Sequence, residues 1–218
     1  VSATISAKAL TMSGLSVPAS KVYDATTAAT VSGTPALQAS EAAGVGTTSD
    51  GKPYTGDTVS ITGTAVGTYN SAHVPSAATV TYSGLSLTGL EASNYSLTIQ
   101  SAASATITPK TLTPTVTNSP VTKVYDATTN SPAGFTPTYS FTGFVSGDTN
   151  SSLTNSGSAY NDKDVSDATI VTVSGLAISS ITGSNSSVAG DYSLDASSKT
   201  VSATISAKAL TMSGLSVP

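Results

Sequence analysis

Residues 1–18 read VSATISAKALTMSGLSVP, and residues 201–218 read the same. Eighteen consecutive identities do not arise by chance, so the chain closes on itself with a period of 200 residues, from position 1 to position 201. Self-similarity at a fixed spacing constrains architecture before any local propensity does, because one structural unit must be built again and again. The chain is one full period plus an overlap, and we expect it to be interior to a longer protein.

A weaker repeat halves that period. Lys21-Val22-Tyr23-Asp24-Ala25-Thr26-Thr27 recurs as Lys123 to Thr129 with Tyr125 and Asp126 at the matching places, an offset of 102. SATISAKALT at Ser2 matches SATITPKTLT at Ser104 at the same offset. Gly56-Asp57-Thr58 meets Gly147-Asp148-Thr149 at offset 91, and Asn94-Tyr95-Ser96-Leu97 meets Asp191-Tyr192-Ser193-Leu194 at offset 97. The drift places an extra stretch near residues 39–55 in the first half and another near 179–190 in the second. Both are rich in Gly, Ser and Asn, as surface loops are.

The hydrophobic pattern is that of strands. Val1, Ala3, Ile5 and Ala7 alternate with polar residues, one face buried and one wet. At Leu10 and Met12 the apolar residues move from odd to even positions, and the second half repeats the move from Ala105 and Ile107 to Leu112 and Val116. A strand that changes its buried face leaves one core for another, or bulges between them. Similar switches follow Gly84 and Gly175, where a Gly inside a strand reads as a bulge or bend. Only Ala36 to Ala43 has a composition suited to a short helix.

The expected fold is all-β: two tandem modules of about a hundred residues, each a β-sandwich of immunoglobulin-like type, arranged end to end, with a β-grasp-like module as the alternative. The expected boundaries are 1–8 as the closing strand of a preceding repeat, 9–109 and 110–207 as the two modules, and 208–218 as the opening strand of the next. Tyr23 with Tyr125, Tyr69 with Tyr160, and Tyr95 with Tyr192 are the expected core anchors, each needing one partner for its hydroxyl.

The matched segments resemble the YDG-type repeat of bacterial filamentous-haemagglutinin-like giant surface adhesins. Lys21 to Thr27 and Lys123 to Thr129 carry the resemblance, together with the Gly-Asp-Thr triplets, the Ser-Gly-Leu triplets at 83–85 and 174–176, and Asn94-Tyr95-Ser96-Leu97. One departure is Ala25 and Ala127, where the family has Gly. Gly there permits a positive φ that Ala resists, so Asp24 and Asp126 are expected to cap an ordinary turn. The resemblance implies a stalk or spacer role on a bacterial cell surface, without catalysis.

Composition agrees with such a role. Charged residues are 9% of the chain, all eight basic residues are Lys, and twelve acids leave a net charge of −4. Nucleic-acid binding needs clustered cations, and these Lys are scattered. There is no Cys, which suits large bacterial exoproteins. No apolar run is long enough to insert in a membrane as a helix.

Chemistry is sparse. His73 is the single histidine, and Asp164 stands at its counterpart in the second half, so a catalytic imidazole recurring in both modules is excluded. Asp162, Asp164 and Asp167 form one acidic cluster, a weak calcium candidate that lacks the Gly and final Glu of a calcium loop. No other cofactor is expected. Asn94, Asn150 and Asn185 open sequons at the frequency a Ser/Thr-rich chain produces unaided. A Lys–Asn isopeptide bond would draw on Lys21 or Lys123, but no partner Asn stands out.

The expected partners are neighbouring repeats of the same chain, with any carbohydrate or host-surface ligand elsewhere in the full protein. Modules that contact only their neighbours multiply length. Alternatives are a repeat that itself binds carbohydrate or host protein with avidity, and one that associates homotypically through strand edges.

Overall fold

A computed structural model describes residues 2–214. It is all-β, and it divides into two compact units, residues 1–108 and 109–218. Val1 and residues 215–218, which include the end of the expected opening strand at 208–218, lie outside the described residues.

In the first unit the strands are β1 (Lys8–Ser16), β2 (Ser20–Val22), β3 (Ala28–Ala29), β4 (Ser32–Leu37), β5 (Ser60–Tyr69), β6 (Thr79–Thr88), β7 (Tyr95–Thr98), β8 (Ala103–Ser104) and β9 (Thr106–Thr108). β1 lies between β4, antiparallel, and β7, parallel. β2 runs parallel to β9, and β3, β5, β6 and β8 form a four-stranded antiparallel sheet.

The second unit repeats this plan with β10 (Lys110–Val116), β11 (Val121–Val124), β12 (Tyr139–Thr142), β13 (Asp148–Thr154), β14 (Gly157–Tyr160), β15 (Ile170–Ser174), β16 (Ala177–Gly183), β17 (Tyr192–Leu194) and β18 (Ser198–Ser206). β10 sits between antiparallel β12 and parallel β17, as β1 does between its partners. β11 runs parallel to β18 as β2 does to β9. The sheets around β1, β10 and β18 are therefore mixed. Each parallel pair joins an early strand to a late one, so that most of a unit serves as the crossover that parallel strands require.

The buried alternation explains the strands. In β18, Val201, Ala203 and Ile205 are buried and the residues between them exposed or half-buried. They join Val116, Val121, Tyr160, Val171 and Val173 in the core of the second unit. In β1, Leu10, Met12 and Leu15 point inward, with Met12 and Leu15 meeting Tyr82 in the core of the first.

Both glycine switches are where the pattern placed them. Gly84 adopts φ 81 inside β6, at a register shift against β5, and a Cβ there would lie 2.3 Å from the Thr64 carbonyl oxygen. Gly175, φ 64, separates β15 from β16, which pair with different strands.

Two expectations are corrected. Residues 36–43 form no helix: Ala36 and Leu37 pair with Ser13 and Met12 of β1, and tertiary pairing overrides a weak propensity. The stretch 179–190 is not all loop, since residues through Gly183 lie in β16, paired to β13.

Candidate functional site

The two Lys-Val-Tyr-Asp-Ala-Thr-Thr segments fold into the same clasp. Lys21 follows β2's start and Lys123 lies in β11, so each is anchored to a parallel pair. The Lys123 ammonium donates to Asp126 Oδ1 at 2.7 Å, to the Thr128 carbonyl at 2.7 Å and to the Asn130 carbonyl at 2.9 Å. The Lys21 ammonium donates to Asp24 Oδ1 at 2.7 Å, to the Thr26 carbonyl at 2.8 Å and to the Ala28 carbonyl at 3.0 Å. Each ammonium also stands over a ring of the core, Tyr69 at 5.3 Å and Tyr160 at 5.1 Å, an arrangement that stabilises a desolvated cation. Both amines are thus committed to carboxylates, hydroxyls and carbonyls.

The aspartates cap as expected, but not in an ordinary turn. Asp24 Oδ1 accepts from the Thr26 amide and hydroxyl, and Asp126 Oδ1 from those of Thr128. The residue between, however, holds a positive φ: 64° at Ala25 and 62° at Ala127. The left-handed conformation survives without Gly, because the lysine clasp and the aspartate cap determine the loop from both sides. The Lys123 hydrogen bond, with that of the Thr128 amide, lowers the Asp126 carboxyl to about 2. Asp24 is also lowered: burial works to raise it, but the Lys21 and Thr26 hydrogen bonds outweigh burial.

The Gly-Asp-Thr triplet and the later tyrosine, six residues apart in their offsets, meet in space. Tyr95 donates its hydroxyl to Asp57 and accepts the Tyr54 amide at 3.0 Å. Tyr192 donates to Asp148 Oδ2 at 2.6 Å and accepts the Val145 amide at 3.1 Å. Tyr69 donates to the Thr106 carbonyl, and Tyr160 to those of Val121 and Thr204.

Five of the six paired tyrosines are buried, while Tyr125 is only half-buried. The His73 ring stacks on Tyr23 at 6.5 Å, and the second unit has the non-aromatic Asp164 at that place.

A match to a family model called YDG domain spans residues 6–105 and again 108–201. The chain belongs to the YDG domain family. No curated protein and no solved structure matches the chain significantly. The two YDG modules share their clasp, their Tyr–Asp link and their strand order, which is why motifs with different offsets recur in the same sequence order.

The calcium candidate of the second YDG module does not assemble. Asp162 Oδ1 accepts the Asp164 amide at 2.8 Å, Lys163 pairs with Asp164 at 3.0 Å, and the Asp167 amide donates to the Asp164 carbonyl. The Asp162 carboxylate caps the turn's own backbone and that of Asp164 is taken by Lys163. Among the described residues no group of three or more His, Cys, Asp or Glu is placed to hold a metal ion. No helix among them is long and apolar enough to cross a membrane.

Sequence reasoning missed one cluster of the first YDG module. Lys8, Glu41, Asp50 and Tyr54 converge although only Lys8 has a counterpart in the second module, Lys110, so internal comparison gave no signal for the cluster. Lys8 Nζ lies 2.7 Å from Glu41 Oε1 and 3.0 Å from Asp50 Oδ1, over the Tyr54 ring at 4.2 Å.

The last feature is the junction. Residues 2–14 and 202–214 share one sequence but not one environment. Ile205 is 3% exposed and Ile5 fully exposed, whereas Leu10 is 0% exposed and Leu210 90%. Met12 and Met212 differ likewise, 5% against 83%. Residues 202–206, the first part of the segment, complete the second YDG module, and residues 8–14, its later part, open the first. Inside the chain, Thr106–Thr108 and Lys110–Val116 do the same with Pro109 alone between them in sequence.

Proposed function

We propose that these YDG modules are the structural stalk of a large bacterial surface adhesin, extending an adhesive tip from the cell. The observation that supports this reading is the shared junction. The segment that finishes one module begins the next, so copies join without a linker and each added period adds length. A one-residue connection leaves little chain for a flexible tether.

The reading is extracellular and non-enzymatic. A Cys-free, Arg-free, sparsely charged chain suits secretion and a surface with little for incidental partners to hold. The single imidazole, His73, is stacked on Tyr23, and the recurring Lys, Asp and Tyr side chains serve the loops and cores of their own modules. Neighbouring repeats are the partners this reading assigns, and the tip ligand binds elsewhere in the full protein.

Four measurements test it. A glycan array and a host-cell binding assay on this chain are expected to be blank; specific binding would replace the stalk with an adhesive repeat. Small-angle scattering is expected to give a maximum dimension that grows linearly as 200-residue periods are added. Concentration-dependent self-association in ultracentrifugation would favour homotypic pairing instead.

A further inference from the structure

The Lys8 cluster holds an amine and two carboxyls where water is scarce. The side chains of Lys8, Glu41 and Asp50 are 7%, 10% and 20% exposed. Three pieces of backbone hold them in place. Gly51 bridges Leu10 in parallel and accepts the Thr11 amide at 3.0 Å, which lays Asp50 alongside β1. The Glu41 amide donates to the Pro53 carbonyl at 2.9 Å, and its carbonyl accepts the Thr55 amide at 2.7 Å. The Asp50 carboxyl accepts the Lys52 amide on Oδ1 and the Thr47 amide on Oδ2, each at 3.0 Å. A carboxyl held by two amides beside an amine is oriented for attack, and the same amides are aimed at the oxyanion that attack creates.

We propose that Lys8 and Asp50 condense into an intramolecular amide, with Glu41 relaying the proton. The Lys8 ammonium passes one proton to Glu41, 2.7 Å away, and its free electron pair attacks Asp50 Cγ. The tetrahedral adduct then expels one carboxyl oxygen as water, which takes one proton from the attacking nitrogen and the one that Glu41 returns. In sum, an ammonium and a carboxylate become one secondary amide and one water, with no oxidant, reductant or cofactor. The resting state is the ion pair. Hydrogen bonds from Glu41 and Asp50 raise the Lys8 pKa against the opposing effect of burial, and the Thr47 and Lys52 amides lower that of Asp50. The neutral amine is consequently scarce, and bond formation is slow compared with folding.

The product would tie β1 to the 39–55 stretch by a covalent bond once per 200-residue period. Its counterpart position in the second module, Lys110, is half-buried and makes no ion pair among those of the described residues. The inference does not depend on the stalk reading.

Intact mass spectrometry of the full chain, held folded at neutral pH for days, tests it. The expected result is a majority of molecules lighter by one water and a branched peptide joining Lys8 to Asp50 after digestion. Lys8→Arg keeps the cation and is expected to retain the full mass. This variant separates the amide from a succinimide at Asp50-Gly51, which would also lose water but would persist without Lys8. Asp50→Asn is expected to form the same bond with loss of ammonia, and Glu41→Gln to slow it about 100-fold. A wild-type chain that keeps its full sequence mass, or a water loss that survives Lys8→Arg, overturns the proposal.

Discussion

The hydroxyl of Tyr192 donates to the Asp148 carboxylate at 2.6 Å, and both side chains are buried. Ser187 donates to the same Asp148 oxygen at 2.6 Å, while Asp148 Oδ1 is buried without a hydrogen-bond partner. Tyr95 and Asp57 repeat the link in the first YDG module, where Asp57 is only half-buried. Removing a donor from a buried acceptor costs its full desolvation, about 1–3 kcal/mol. Tyr192→Phe is therefore expected to lose about that amount in urea unfolding, and Tyr95→Phe to lose less. Equal losses would show that burial of Asp148 is not what sets the cost.

The left-handed alanines give the opposite sign. A non-Gly residue in this region costs about 1–2 kcal/mol, offset in part by the greater chain entropy of Gly when unfolded. Ala25→Gly and Ala127→Gly are each expected to stabilise the chain by about 0.5–1 kcal/mol, and Ala25→Val to destabilise it. Thermal melts of the three variants decide the matter.

The lysine clasp is expected to be structural in both modules. Lys123→Met leaves the Thr128 and Asn130 carbonyls and Asp126 without their cation, at a cost of about 1–3 kcal/mol. Hydrogen exchange should show faster opening of residues 124–130 in this variant, with the first module's clasp unchanged.

Acid should release the same clasp. The Asp126 carboxyl falls from 3.8 to about 2 on folding, chiefly through Lys123 and the Thr128 amide. Its folded value is below its unfolded one, so its stabilisation is fully present above pH 3.8 and is lost as pH falls through about 2. Unfolding midpoints in urea measured across that window should drop for the wild type and drop less for Asp126→Asn. A variant profile parallel to the wild type would place the acid sensitivity elsewhere.

The junction makes a prediction about strand exchange. Residues 208–216 have the sequence of β1, so a chain lacking residues 1–16 presents a vacant β1 position and, at its other end, a strand that fits it. Sedimentation should show this truncated chain forming head-to-tail oligomers, with Leu210 and Met212 becoming protected. The full chain, whose own β1 already fills the position, should stay monomeric under the same conditions.

Much of this protein was legible in its residues. The 18-residue identity and the internal motifs required repeated β units, and the move of apolar residues from odd to even positions marked where the chain passes between cores. Gly84 and Gly175 announced their bends: both hold a positive φ, and a Cβ would meet the facing Thr64 carbonyl at the first and the Ser156 side chain at the second. These features are local or periodic, and alternation along a strand records directly which side is dry. Tertiary structure decided the rest. It alone showed that Ala25 and Ala127 hold the conformation that Gly would favour, that Ala36 and Leu37 pair with β1 rather than coil into a helix, and that Tyr192 reaches Asp148 from 44 residues away. It also brought Lys8 against Glu41 and Asp50 across a loop with no counterpart in the second module. Such contacts depend on how distant segments close upon each other, and no periodicity in a single chain encodes which partner a buried charge will meet.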